Sequence, residues 1–251
     1  MTKLLWTALL TSMALAAPAG AEMRSYAVVA GKTQGALAWC DAPGAVITLT
    51  TPQQGRATLS VQDKVKGQLG PAHSFPATLG DPEPGAGQVY VPLSWKNGAA
   101  TVQGFLHTSN VENVNDPAYR MTHVNEFRLS DVTHRCRYVP QAAFFGVTSK
   151  RTVIVWENGK TSTYATRNFD GTPGVRLQGG PMAHGVITRD ADSGRVVGFQ
   201  RVYLWPAPGG YRYQLEVTEE GATLKVMRNN RTLQVEPLLA YSVSLPRTSE
   251  H

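Results

Sequence analysis

Residues 196–237 constrain the fold more than any other stretch. They read VVGFQRVYLWPAPGGYRYQLEVTEEGATLKVMRNNRTLQVEP, four short runs separated by turn-forming residues. In the second run, Tyr211, Tyr213, Leu215 and Val217 alternate with Arg212, Gln214 and Glu216. Period-two alternation is the pattern of a strand with one buried face. The stretch therefore predicts an antiparallel meander.

The same punctuation recurs upstream. Asn97-Gly98 separates Val89–Lys96 from Ala99–Thr108, and Asn158-Gly159 separates two further strand-like runs between Arg151 and Thr166. Asn-Gly is the strongest short hairpin signal, because both central residues of a type I′ turn take positive φ. Pro92 places its strand at an edge or a bulge. β-Type runs also occupy 24–30, 36–40, 45–51, 56–61 and 142–147, and LLAYSVSL (238–245) follows the meander. The segment 64–88 is rich in Gly and Pro and poor in apolar residues, so a long surface loop is expected there. Turn signals about every 8–12 residues predict an all-β fold, an antiparallel sandwich or barrel-like sheet stack built from hairpins and a C-terminal meander. The organisation expected is an N-terminal β region, 22–137, and a C-terminal β region, 138–251. They form one compact unit, or alternatively two subdomains divided near 138–150.

The first 21 residues carry a different signal. Lys3 precedes an apolar run from Leu4 to Ala17, and Ala19-Gly20-Ala21 has the small-residue pattern of a cleavage site. The run is too short to span a bilayer, and the three features together predict a signal peptide removed before Glu22. Cleavage of 21 of the 251 residues leaves 230, and the loss of Lys3 lowers the formal net charge from +6 to +5. The expected location is periplasmic or extracellular, with no membrane span after cleavage. In an oxidising compartment, the pair Cys40 and Cys136 reads as a disulfide.

A mild cationic excess favours an anionic partner, such as an envelope polymer or an acidic protein. It falls far short of the dense basic stripe of a nucleic-acid binder. The six histidines are all more than five residues apart and no HExxH occurs, so no zinc centre is expected. Asp190-x-Asp192-x-Gly194 opens like a calcium loop, but Arg195 follows and the bidentate Glu is missing, which leaves a turn. GxSxG, SxxK and phosphate-cradling glycine loops are absent. No catalytic residue and no cofactor are assigned.

What remains are binding surfaces. Phe199, Arg201, Tyr203 and Trp205 alternate along the first meander strand, opposite Val202 and Leu204. If the valine-leucine side is core, this row is an exposed aromatic surface with a cation, suited to stacking or docking. If both sides are covered, the row is core. Arg135 and Arg137, with Lys150 and Arg151, make a second candidate, a basic patch. The function expected is that of an exported, non-enzymatic binding or interaction protein of the cell envelope. The alternatives are a secreted hydrolase acting on an envelope polymer and a structural envelope component.

Overall fold

The computed structural model describes residues 22–109 and 123–245. The predicted signal peptide lies outside the described residues. The strands, in order, are β1 (Glu22–Val29), β2 (Lys32–Asp41), β3 (Ala45–Thr50), β4 (Arg56–Val65), β5 (Gln68–Leu69), β6 (His73–Leu79) and β7 (Glu83–Gly85). Next come β8 (Gln88–Asn97), β9 (Ala100–Ser109), β10 (Val124–Leu129), β11 (Val132–Arg135), β12 (Phe144–Val147), β13 (Arg151–Asn158) and β14 (Thr161–Asn168). The last seven are β15 (Arg176–Pro181), β16 (His184–Arg189), β17 (Val196–Ala207), β18 (Tyr211–Thr218), β19 (Ala222–Arg228), β20 (Arg231–Pro237) and β21 (Ala240–Leu245).

Sixteen strands form one antiparallel sheet along the path β11-β10-β9-β8-β6-β4-β3-β2-β1-β21-β12-β13-β14-β15, with β5 and β7 attached to β4 and β8. The meander and its neighbour β16 make a separate five-stranded sheet, β16 to β20 in chain order. The fold is all-β. β1 lies between β2 and β21, so Glu22 is paired with Leu245 and the two ends of the described chain are tied together.

The two arms of the large sheet do different things. The arm from β2 to β10 rolls up. Ala38 and Ile47 share a core with Leu59, Trp95, Leu106 and Phe127, although β2 and β10 stand at opposite ends of that arm. The other arm, β1, β21 and β12–β14, lies face to face with the five-stranded sheet. Its Phe144, Val155, Tyr164 and Tyr241 meet Tyr203, Trp205, Leu215 and Leu224. A small third cluster, with Trp39, Val46, Phe145 and Val147, fills the seam between the arms. β3 (AVITLT) and β21 (AYSVSL) are buried along their whole length because they run through this junction. Their hydroxyl-bearing residues fit there because they find partners: Ser242 accepts from Trp39 Nε1 at 2.8 Å and bonds Ser25 at 2.7 Å.

Two expectations are corrected. Both Asn-Gly hairpins form, but one residue out of the expected phase. Asn97 pairs with Ala100 and Asn158 with Thr161, so the turn centres are Gly98-Ala99 and Gly159-Lys160. Only the glycine of each centre has positive φ, 62° and 60°. That is the type II′ pattern, with the asparagine retained as the last strand residue. Type I′ centres, with two positive φ values, occur instead at Ala30-Gly31, Lys66-Gly67 and Asn229-Asn230. The second correction concerns 64–88, which is mostly strand rather than loop. β6 sits between β4 and β8, and only Phe75, Ala77 and Leu79 turn towards the core. Three apolar residues at alternate positions among Gly and Pro leave too faint a period to register in composition.

Candidate anion-binding seam

The seam is assembled around Asp41, the last residue of β2, whose side chain is fully buried. Cys40, immediately before it, is bonded to Cys136, with Cα atoms 5.0 Å apart. The residue after Cys136 is Arg137. The disulfide thus draws a carboxylate and a guanidinium together. The Arg137 amide donates to the Asp41 carbonyl at 3.1 Å, and Arg137 Nη1 donates to Asp41 Oδ2 at 3.2 Å. Thr152 of β13 donates to the same oxygen at 2.7 Å. Lys64, near the end of β4, donates to Asp41 Oδ1 and, at 2.6 Å, to the Ala42 carbonyl. Both oxygens of Asp41 are therefore occupied by donors from its own fold.

More positive charge is present than this carboxylate balances. Arg167 on β14 faces Thr152 across the β13–β14 ladder. It is exposed, and among the described residues no carboxylate pairs with it. A pocket of about 180 Å³ opens between Arg137, Tyr138, Thr152, Ile154 and Arg167, with Asp41 at its base. Lys64, behind it, registers the imbalance. Burial lowers its proton affinity, Asp41 restores part of it, and Arg137 and Arg167 lower it again. The ammonium also lies 4.4 Å from the centre of the Phe169 ring.

Residues 136–139 form a strap with a second space on its other side. This is a hollow of about 80 Å³ bounded by Met23, Trp39, Val124, Val139 and Phe145. Trp39 and Phe145 stack with centroids 4.6 Å apart. Arg137, Tyr138, Val139 and Phe145 line both spaces. Tyr138 is braced from outside by His123, whose ring stacks on it at 4.0 Å.

The structure disperses the residues named from sequence. Phe199, Arg201, Tyr203 and Trp205 point inwards, with exposures of 7%, 4%, 0% and 0%. The exposed aromatic row is thus corrected to core, because the five-stranded sheet packs its aromatic face onto the large sheet and turns Val202 and Leu204 outwards. Trp205 donates to Ser162 at 3.0 Å and stacks on Tyr164 at 4.8 Å. Arg201 donates to Glu157 and, at 2.9 Å, to the Ser244 carbonyl. The basic patch divides three ways. Arg137 enters the seam. Arg135 lines an open depression with Glu126, Arg128 and His134. Lys150 and Arg151 border another with Lys66 and Asp170, where Arg151 also pairs with Glu236 at 3.1 Å. Asp41, Lys64, Thr152 and Arg167 were not singled out from sequence. One signal was available: Asp41 and Arg137 each directly follow a cysteine of the predicted disulfide. Among the described residues, no group of three His, Cys, Asp or Glu side chains could hold a metal ion. No family model, curated protein or solved structure matches this chain.

The histidines near the strap give a pH prediction. Burial lowers the proton affinity of His123, with a further contribution from His107. Burial also lowers that of His134, against an opposing pull from Asp63. Protonation then favours the unfolded chain. Their contribution to stability is complete above the ordinary histidine value of 6.5 and is lost as pH falls below it towards the folded-state values. Melting temperature should be flat between about pH 8 and 7 and decline below about 6.5, before exposed carboxylates titrate. His123→Gln should make the decline shallower. An equally steep decline in that variant would rule His123 out as a contributor.

Proposed function

We propose that the protein is exported and acts without catalysis, binding an anionic component of the cell envelope through one carboxylate or phosphate group in the Arg137–Arg167 pocket. The carrying observation is the charge inventory. Lys64, Arg137 and Arg167 surround a single carboxylate whose oxygens already accept from Lys64, Arg137 and Thr152. An incoming anion is the group that arrangement lacks, and guanidinium groups are well suited to carboxylate and phosphate. The disulfide supports an oxidising compartment. No helix among the described residues is long and apolar enough to cross a membrane.

Four carboxylates are poorly suited to act as a general acid. Glu22, Asp170, Asp190 and Glu220 all have their proton affinities lowered. A general acid working near neutral pH needs the opposite shift.

The test uses polyphosphate and polyglutamate as probes, with fluorescence anisotropy at low and high salt. Wild-type binding should weaken with salt. Arg167→Glu, a change on an exposed strand position, should reduce affinity at least tenfold. Arg135→Glu should have a smaller effect, since Arg135 lies outside the seam. Unchanged affinity in Arg167→Glu, with loss in Arg135→Glu, would move the site to the open depression and end the seam reading.

A further inference from the structure

The two spaces beside the strap belong together. We infer that the seam takes an anionic amphiphile, an acid whose carboxylate or phosphate meets Arg137 and Arg167 while a short aliphatic chain enters the hollow against Trp39 and Phe145. This rests on the anion-binding reading above and adds the identity of the rest of the ligand. Three observations carry it. First, the spaces are neighbours: Arg137, Tyr138, Val139 and Phe145 line both, so a group held at Arg137 stands beside the hollow. Second, the hollow makes little polar demand. The indole N–H of Trp39 is taken by Ser242, and the Ser242 and Ser25 hydroxyls bond each other. Its larger surfaces are those of Met23, Trp39, Val124, Val139 and Phe145, which favour hydrocarbon over water. Third, the shared border is anchored. Cys136 is covalently fixed to Cys40, and Tyr138 is held against His123, so the strap that lines both spaces is fixed in place.

Size limits the tail. The hollow, about 80 Å³, is roughly half the ~150 Å³ apolar cavity that accepts benzene. It suits a few carbons of a linear chain and excludes a ring. Each methylene that enters should raise affinity about fourfold. The gain should stop once the chain outgrows the hollow, after about three or four carbons.

The experiment is calorimetric titration of the intact mature chain with methyl, butyl, hexyl and octyl phosphate. The matching carboxylates, acetate to octanoate, are run alongside to decide which acid the two arginines prefer. The expected result is a stepwise rise in affinity from methyl to butyl, then a plateau. Val124→Phe, which fills the hollow from β10 at a residue that does not line the anion pocket, should abolish the rise and leave methyl phosphate affinity unchanged. Magnetisation transfer from the ligand alkyl protons to the Trp39 and Phe145 rings gives a readout independent of that variant. Equal affinity at every chain length would overturn the amphiphile inference while leaving the anion site standing. Transfer to aromatic rings other than Trp39 and Phe145, or a rise that persists in folded Val124→Phe, would place the tail elsewhere and overturn it too. Failure of every member, methyl phosphate and acetate included, would remove the anion reading itself.

Discussion

Cys136→Ser is expected to lower the unfolding free energy by about 4–5 kcal/mol, the chain-entropy value for a loop approaching a hundred residues. The bridge spans a sequence separation of 96 and joins the end of β2 to the strap. In a chain of this size, that loss corresponds to a fall of very roughly 10–15 °C in melting temperature. Urea titration of the wild type with and without reductant, beside the variant, measures it. A cost under about 1 kcal/mol would show that the denatured chain gains little freedom when the bridge is absent. The same change should reach the seam. Arg137 stands next to Cys136, and its two bonds to Asp41, with the bond from the Cys136 amide to the Asn125 carbonyl at 2.8 Å, also tie that end of the strap. Reduced protein held below its melting temperature should therefore bind polyphosphate more weakly, even where its far-ultraviolet spectrum still reports intact strands.

The fold was more legible in sequence than the site, and the reasons are local. The meander could be read because β18 and β19 each bury one face, which prints a period of two into Tyr211–Val217 and Ala222–Val226. β3 and β21 were visible as compact β-branched and apolar runs, although burial on both faces removes the period. β6 was hidden because Gly and Pro crowd the three residues that face the core. The Asn-Gly turns fell one residue out of phase because the dipeptide marks a reversal without fixing which two residues are central. For Phe199–Trp205, alternation showed that four side chains share a face. Which face becomes core depends on the sheet that covers it, and that is tertiary information. The seam is tertiary throughout. Asp41, Lys64, Arg137, Thr152 and Arg167 come from β2, β4, the strap, β13 and β14, and no spacing rule connects them. Only the cysteine-adjacent pair, Asp41 and Arg137, could have been joined in advance.

The residue whose role changes most is Arg201. As a surface cation it would tolerate replacement; as a buried one it should not. Its guanidinium is enclosed with the Glu157 side chain, donates to Glu157 and to the Ser244 carbonyl, and lies 5.3 Å from the centre of the Tyr203 ring. Arg201→Met should therefore destabilise by about 3–5 kcal/mol, because it removes the guanidinium that pairs with the buried Glu157 carboxylate. Glu157→Leu should cost a similar amount by stranding the guanidinium. The double variant is the informative one. Once both charges are gone, no desolvation cost remains uncompensated, and apolar groups of similar volume should return stability to near the wild-type value or above it. Urea midpoints for the four proteins complete the cycle. Additive losses in the double variant would mean that packing, not charge pairing, sets the cost. Recovery in the double variant would show that the pair is a matched liability, tolerated because neither member can be lost alone. Anion binding at the seam should be unchanged in the folded double variant, since the Arg201–Glu157 pair belongs to the sandwich core and Arg167 to the opposite side of the large sheet.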